Sequence, residues 1–195
     1  MKDIKRVLVY CASSSKINEE YMDTAQKLGE LLAEKEMELI YGGGSVGLMG
    51  VLADSVLNNG GVVRGLIPKF MVEVEWQHNG LTELILTETM HERKEQMAEM
   101  ADAIVALPGG VGTLEELLEI ITWKQLGIHN KPIIIVNTRG YYDALIAMFD
   151  RAAEEMFIRP QHLNMWSVVN SAEEVFDAIN RRKEIHEDMR NYAKI

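Results

Sequence analysis

Hydrophobic residues fall into short runs along the chain, and the longer stretches between these runs mix hydrophobic and polar positions. Short bounded runs predict buried strands, and stretches whose hydrophobic residues recur every three or four positions predict helices. The predicted strands cover residues 7–11, 39–41, 62–67, 103–107, 132–136 and 168–169. The predicted helices cover residues 18–36, 47–57, 90–100, 113–125, 142–155 and a charged segment from residue 171. Residues 69–80 show neither period, and we expect a long loop or irregular insertion there.

The alternation of strands and helices predicts an α/β protein. Short, continuously apolar strands are typical of a doubly wound, mostly parallel sheet with helices on both faces. The chain of 195 residues contains no proline-rich linker or internal repeat, so we expect a single domain over residues 1–195. Ligands of such folds bind at the carboxyl ends of the strands. Three turns follow predicted strands at that edge, and we expect them to meet in one crevice: residues 13–14, 42–44 and 109–112.

Composition narrows the range of partners and compartments. The chain has 20 basic and 30 acidic residues and a formal net charge of −10, which argues against nucleic-acid binding. Its one cysteine, Cys11, excludes an internal disulfide and fits a reducing compartment. The first residues lead directly into a predicted strand rather than a signal peptide, and no apolar run reaches the roughly 18–20 residues that span a bilayer. We therefore expect a cytoplasmic protein that binds neither nucleic acid nor membranes.

The segment from Pro108 to Glu116 carries the strongest functional signal. Glycines at positions 109, 110 and 112 separate a predicted strand from a predicted helix. This geometry directs backbone N–H groups and the positive end of a helix dipole at an anion such as phosphate, here with the Glu116 carboxylate nearby. A simpler interpretation is a capping box in which Thr113 is the N-cap and Glu116 the third helical residue. A plain helix start does not need so many glycines, so the phosphate interpretation is favoured.

Other motifs exclude several classes of enzyme. The pattern G-x-G-x-x-G occurs at residues 42–47, but it follows the second strand, and no acidic residue ends the next strand to bind a ribose. A NAD-dependent oxidoreductase is therefore disfavoured. The chain lacks the Walker A pattern of P-loop nucleotidases. His78, His91 and His129 show no metal-ligand spacing, so we expect no metal site.

Arg93 and Lys94 stand near the start of the predicted helix 90–100, which is the unfavourable end of a helix dipole for cations. Two interpretations are open. Both side chains could be solvated, with Lys94 pairing locally with Glu95, or the guanidinium could face a phosphate or a purine edge. The methionines of this helix, Met90, Met97 and Met100, are expected to pack against other apolar residues.

Taken together, these segments resemble the Lonely Guy family, the cytokinin riboside 5′-monophosphate phosphoribohydrolases, whose older description is possible lysine decarboxylase. The matching segments are residues 41–50, 90–94 and 108–116, and the likeness continues through residues 121–129, 131–132 and 140–142. It covers most of the chain, from the first strand to about residue 160.

The resemblance implies a Rossmann-like domain that dimerises with its active sites near the subunit interface. It also implies hydrolysis of the N-glycosidic bond of a nucleoside 5′-monophosphate, giving free base and ribose 5-phosphate without a cofactor. Arg93 and Glu116 match the pair regarded as catalytic. The matching substrate-contacting positions are Glu75, Arg93, Lys94, Gly110, Val111, Gly112, Thr113, Leu114, Glu115, Glu116 and Thr122. We add Ser14, Gly43 and Gly109 from the turns at the same sheet edge.

Three functions remain open at this point. Cleavage of an N-glycosidic bond develops positive charge on the ribose, and the Glu116 carboxylate could stabilise that charge, hold the ribose hydroxyls or orient water. A non-catalytic nucleotide-binding or sensing module would keep the glycine turns but would need neither Arg93 nor Glu116. A lysine decarboxylase would need pyridoxal phosphate on a lysine, and no lysine stands in a marked site. The base, a cytokinin or plain adenine, also stays open.

Overall fold

A computed structural model describes residues 4–72 and 77–181 of the chain. Its strands are β1 (Arg6–Tyr10), β2 (Glu38–Tyr41), β3 (Val63–Pro68), β4 (Glu83–Thr87), β5 (Ala103–Ala106), β6 (Ile133–Val136) and β7 (Ser167–Val169). They form one seven-stranded sheet in the order β4-β3-β2-β1-β5-β6-β7. Every neighbouring pair in this sheet is parallel.

The first six helices join successive parallel strands, and the seventh follows the last strand. They are α1 (Glu19–Glu34), α2 (Gly47–Asn58), α3 (Lys69–Val72), α4 (Met90–Met100), α5 (Val111–Gln125), α6 (Asp143–Glu154) and α7 (Val175–Asn180). Short 3₁₀ turns cover Thr138–Gly140 and Pro160–Asn164. Most of the predicted elements are confirmed to within two residues. The predicted terminal helix from residue 171 begins only at Val175, and residues 182–195 lie outside the described part of the chain.

The helices cover both faces of the sheet. One hydrophobic core packs α1, α2 and α7 on one face, with Leu28 and Leu52 among its buried side chains. The other core packs α4 and α5 on the opposite face, with Met97 and Leu117 fully buried. The predicted doubly wound, Rossmann-like α/β fold is confirmed. In the ranges that the structure describes, no helix is both long and apolar enough to cross a membrane.

The sequence pattern missed β4, and it predicted a loop where α3 forms. β4 is an edge strand that pairs only with β3, so most of its residues stay partly exposed and only Leu84, Ile85 and Leu86 form an apolar run. An edge strand lacks the continuous hydrophobic signature of the buried strands. The short helix α3 occupies the start of the predicted loop 69–80.

Candidate active site

A cavity of about 640 Å³ lies at the carboxyl ends of the central strands. The strand order reverses between β1 and β5, and this topological switch point is where doubly wound sheets bind ligands. The three turns expected to meet at this edge do meet there. Their residues that line the cavity are Ser13, Ser14, Gly42, Gly44, Gly110 and Gly112.

The amino end of α5 faces the cavity with backbone amides that have no acceptor within the helix. The first bond of the helix runs from the Leu114 N–H to the Gly110 carbonyl, at 3.0 Å. The N–H groups of Val111, Gly112 and Thr113 therefore have no acceptor within α5, and all three residues line the cavity. Amides and a helix dipole at this position favour an anion.

The capping-box interpretation of Thr113 is wrong. The N-cap of α5 is Gly110, which has no side chain, and the helix starts at Val111, two residues earlier than predicted. Thr113 is consequently the third residue of the helix, and Glu116 is the sixth.

The glycines of this turn differ in what the protein requires of them. A Cβ at position 109 would lie 2.1 Å from the Thr113 Oγ1, so packing demands glycine there. A Cβ at position 110 or 112 would meet no atom of the described residues within 4 Å. Packing within the protein therefore does not explain Gly110 and Gly112. Their effect is to leave the backbone bare, which allows a ligand to approach the amides closely.

Arg93 crosses from α4 to the wall of the cavity. Its Nε donates to the Leu66 carbonyl at 2.8 Å, and its Nη1 donates to the Glu116 Oε1 at 2.8 Å. A Cβ at Gly42 would lie 2.3 Å from Arg93 Nη2, so only glycine leaves room for the guanidinium. The residue is 5% exposed. The interpretation of Arg93 as a solvated cation is wrong.

Glu116 lines the cavity beside the Arg93 guanidinium, and 13% of its side chain is exposed. Burial raises the pKa of its carboxyl, and the guanidinium of Arg93 opposes that shift without cancelling it. The negative charge of Glu115 adds to the increase. The Glu116 carboxylate is therefore mostly buried and paired with the Arg93 guanidinium, and its pKa lies above the ordinary value for glutamate.

Lys94 is buried but does not line the cavity. Its Nζ lies 2.5 Å from Glu115 Oε1 and 3.0 Å from Glu119 Oε2. Burial lowers the pKa of Lys94, while the bonds to the two carboxylates raise it, and the net shift is upward. The interpretation of Lys94 as a solvated cation paired with Glu95 is wrong. Instead, Lys94 neutralises Glu115, which does line the cavity.

The remaining predicted site residues are scattered. Gly43 and Gly109 are buried within the turns but do not line the cavity, and Leu114 packs against the core. Thr122 is exposed and its hydroxyl donates to the Leu118 carbonyl at 2.8 Å. It lies nine residues beyond Thr113, about 13 Å along the axis of α5. Glu75 falls outside the residues that the structure describes.

Part of the cavity lining is apolar, and the sequence pattern did not identify this apolar wall. Its members lie on four separate segments: Val46, Met49, Ile67, Met71 and Met90. Met97 packs in the core as expected, whereas Met90 is partly exposed and lines the cavity. Met49 and Met90 lie within the family-matching segments 41–50 and 90–94, and this was the sequence signal that could have placed them at the site. Within the described ranges, no cluster of three His, Cys, Asp or Glu side chains could hold a metal ion.

Comparisons with known proteins give both a family and a fold. Residues 49–179 match the family model described as possible lysine decarboxylase. A cytokinin riboside 5′-monophosphate phosphoribohydrolase of Arabidopsis thaliana is 46% identical over 171 residues, covering 88% of this chain and 80% of that protein. A second enzyme of that name and organism is 49% identical over 156 residues, covering 80% and 72%. The molybdenum cofactor carrier protein of Chlamydomonas reinhardtii shares the fold, with a TM-score of 0.70, 18% identity and coverage of 92% and 98%.

The raised pKa of Glu116 predicts how stability depends on pH. The folded state holds the proton of this carboxyl more tightly than the unfolded chain does, where the pKa is about 4.3. The stability that Glu116 contributes is full below that value and is lost as pH rises through the folded pKa. Glu116→Gln does not titrate, so its melting temperature minus that of the wild type should increase across this window. Calorimetry from about pH 4 to 8 measures the difference, and a constant or shrinking value contradicts the assignment.

Proposed function

The chain belongs to the family of cytokinin riboside 5′-monophosphate phosphoribohydrolases, described as possible lysine decarboxylase, and we propose that it hydrolyses nucleoside 5′-monophosphates. The bond cleaved is the N-glycosidic bond, and the products are free base and ribose 5-phosphate. One observation carries the proposal. The Arg93–Glu116 pair and the bare amide end of α5 face the same cavity.

The phosphate binds at the amino end of α5. Free amides at residues 111–113 supply hydrogen bonds, and the helix dipole supplies a favourable potential. Glu116 lies three residues beyond Thr113, which places it roughly 5 Å further along the axis. This offset is about the span of a ribose, so a nucleotide held by its phosphate presents its sugar to the carboxylate. Binding energy from the phosphate thereby orients the reacting bond.

Glu116 and Arg93 act on the two sides of that bond. Departure of the base develops positive charge on the ribose, which the Glu116 carboxylate stabilises. The raised pKa also suits Glu116 to accept a proton from the attacking water. Arg93 stays protonated throughout and is therefore a poor acid, but it keeps Glu116 ionised and can donate hydrogen bonds to the departing base.

The apolar wall suits the binding of purine nucleotides that carry an apolar substituent. Met49, Met71 and Met90 provide flexible, polarisable contacts to a flat base and to an aliphatic group on it. Cytokinin nucleotides carry such a group, and plain AMP does not. We therefore propose that the enzyme accepts both and prefers the substituted nucleotide.

No observation favours the rival functions over hydrolysis. A binding module has no need of a buried carboxylate whose pKa is raised beside its ligand. A decarboxylase needs a lysine for pyridoxal phosphate, and among the described residues no lysine lines the cavity. The net charge of −10 and the single cysteine support action on free nucleotides in the cytoplasm, without nucleic acid as a partner.

We also propose that the active form is a homodimer assembled through the outer face of α5. An exposed stripe of apolar residues runs along this helix at i, i+7 and i+15: Val111, Leu118 and Leu126. Thr122 lies on the same stripe, too far along the helix to reach a ligand in its own cavity. A second copy on this face would bring Thr122 close to the neighbouring active site.

The substitution Glu116→Gln tests the role of the Glu116 carboxylate in catalysis. We expect kcat to fall at least about 100-fold, because the charge that stabilises the ribose is lost. The melting temperature at neutral pH should change little, since the amide still accepts the Arg93 hydrogen bond and the saved cost of burying the carboxylate charge offsets the loss of the counter-charge of Arg93. Glu119→Gln, one turn along the same helix and outside the cavity, is the matched control and should keep its activity. Full activity in Glu116→Gln would contradict the proposal.

The phosphate site is tested by a substrate panel in which released base is measured by chromatography. We expect cleavage of AMP and of N6-isopentenyl AMP, with a lower KM for the latter because of the apolar wall. Adenosine lacks the group that α5 binds and should be cleaved at least about 100-fold more slowly. Equal rates on adenosine and AMP would remove the argument for a phosphate site.

The dimer is tested by Leu118→Asp, which places a charge in the apolar stripe. In sedimentation velocity the wild type should have twice the 22.1 kDa mass of the chain, and the variant should have the mass of one chain. Leu118 is exposed, so circular dichroism should show an unchanged fold. A monomeric wild-type protein would contradict the proposed assembly.

A further inference from the structure

Two consecutive tyrosines outside the cavity are bonded to the loop that leads into α5. The Tyr141 hydroxyl donates to the Gly109 carbonyl at 2.6 Å, and the Tyr142 hydroxyl donates to the Leu107 carbonyl at 2.8 Å. Both tyrosines follow β6, which is the neighbour of β5 in the sheet. Neither lines the cavity, so a direct contact with substrate does not account for them.

The two hydroxyls are held firmly in place. The Tyr142 N–H donates to the Asn137 Oδ1 at 2.6 Å, and the Asn137 side chain donates to the Asp143 carboxylate at 2.7 Å. The Tyr141 and Tyr142 rings meet edge to face with their centroids 5.0 Å apart. Tyr21 packs against the other side of Tyr141 in the same manner, at 5.9 Å. Such aromatic contacts have defined geometry, so the ring positions are fixed.

These bonds fix the peptide planes of the loop. The Pro108 carbonyl accepts the Ala12 N–H at 3.2 Å, so the carbonyls of residues 107, 108 and 109 are each bonded to a donor outside the loop. In a trans peptide the carbonyl and the following N–H point in opposite directions. A Gly109 carbonyl held on the Tyr141 side therefore turns the Gly110 N–H to the other side. Gly109 and Gly110 have no side chain to resist rotation, so the loop depends on these outside bonds.

We propose that Tyr141 is a positioning residue for the phosphate site, acting through the Gly109–Gly110 peptide and assisted by Tyr142. The inference rests on the proposed function, because it assumes that the amide end of α5 binds the phosphate. In this arrangement the amides at the start of α5 are oriented before the ligand binds. Preorganised donors bind an anion without the cost of ordering a glycine loop.

Tyr141→Phe tests this directly, because it removes one oxygen and leaves the ring contacts intact. We expect KM for AMP and the inhibition constant of ribose 5-phosphate each to rise about threefold to tenfold, as the loss of one hydrogen bond predicts. The phosphate is bound equally in the ground state and the transition state, so kcat should change less than about twofold. Inhibition by free adenine, which has no phosphate, should be unchanged.

Tyr21→Phe is the matched control, since its ring belongs to the same stack and its hydroxyl is not bonded to this loop among the described contacts. It should leave all four constants unchanged. Unaltered KM and ribose 5-phosphate inhibition in Tyr141→Phe would overturn the proposal. Equal weakening of adenine inhibition would also overturn it, because it would indicate general loosening of the site. Failure of the wild type to cleave AMP or bind ribose 5-phosphate would instead refute the proposed function, and this inference with it.

Discussion

The buried ion pair between Arg93 and Glu116 is the constraint on which the site depends. Burial works against the charge on the Glu116 carboxyl, and the nearby guanidinium is the cation that opposes this effect. Without Arg93 the carboxylate would be buried with no counter-charge, a situation that typically costs about 3–5 kcal/mol. Several local features serve the pair. Gly42 leaves room for the guanidinium, and the Leu66 carbonyl accepts its second hydrogen bond.

The parallel sheet explains why these groups meet. All seven strands point the same way, so the turns after β1 and β2 and the start of α5 come to one edge. The reversal of strand order between β1 and β5 opens a crevice there. Three kinds of group line the crevice: backbone amides at the start of α5, the ion pair between α4 and α5, and the apolar wall. A nucleoside 5′-monophosphate carries three matching parts, namely a phosphate, a ribose and a flat base.

The sequence predicted the buried strands and the converging turns, because continuous apolar runs and glycine turns are local signals. It did not predict β4, because the exposure of this edge strand weakens the apolar signal. It also placed the start of α5 two residues late, because Gly110 and not Thr113 is the N-cap. Arg93 and Lys94 show the limit most clearly. They are adjacent and equally buried, but successive residues of a helix point about 100° apart. One reaches Glu116 and the other reaches Glu119, because the rotation along α4 and its packing near α5 together select the partner.

The most direct measurement of the central claim is a crystal structure of the wild-type protein with ribose 5-phosphate bound. The account predicts phosphate oxygens within hydrogen-bond distance of the backbone nitrogens of residues 111–113. It also predicts the anomeric carbon of the ribose beside the Glu116 carboxylate, with Arg93 still bonded to that carboxylate. A phosphate bound elsewhere in the cavity, or a Glu116 carboxylate turned away from the sugar, would contradict it.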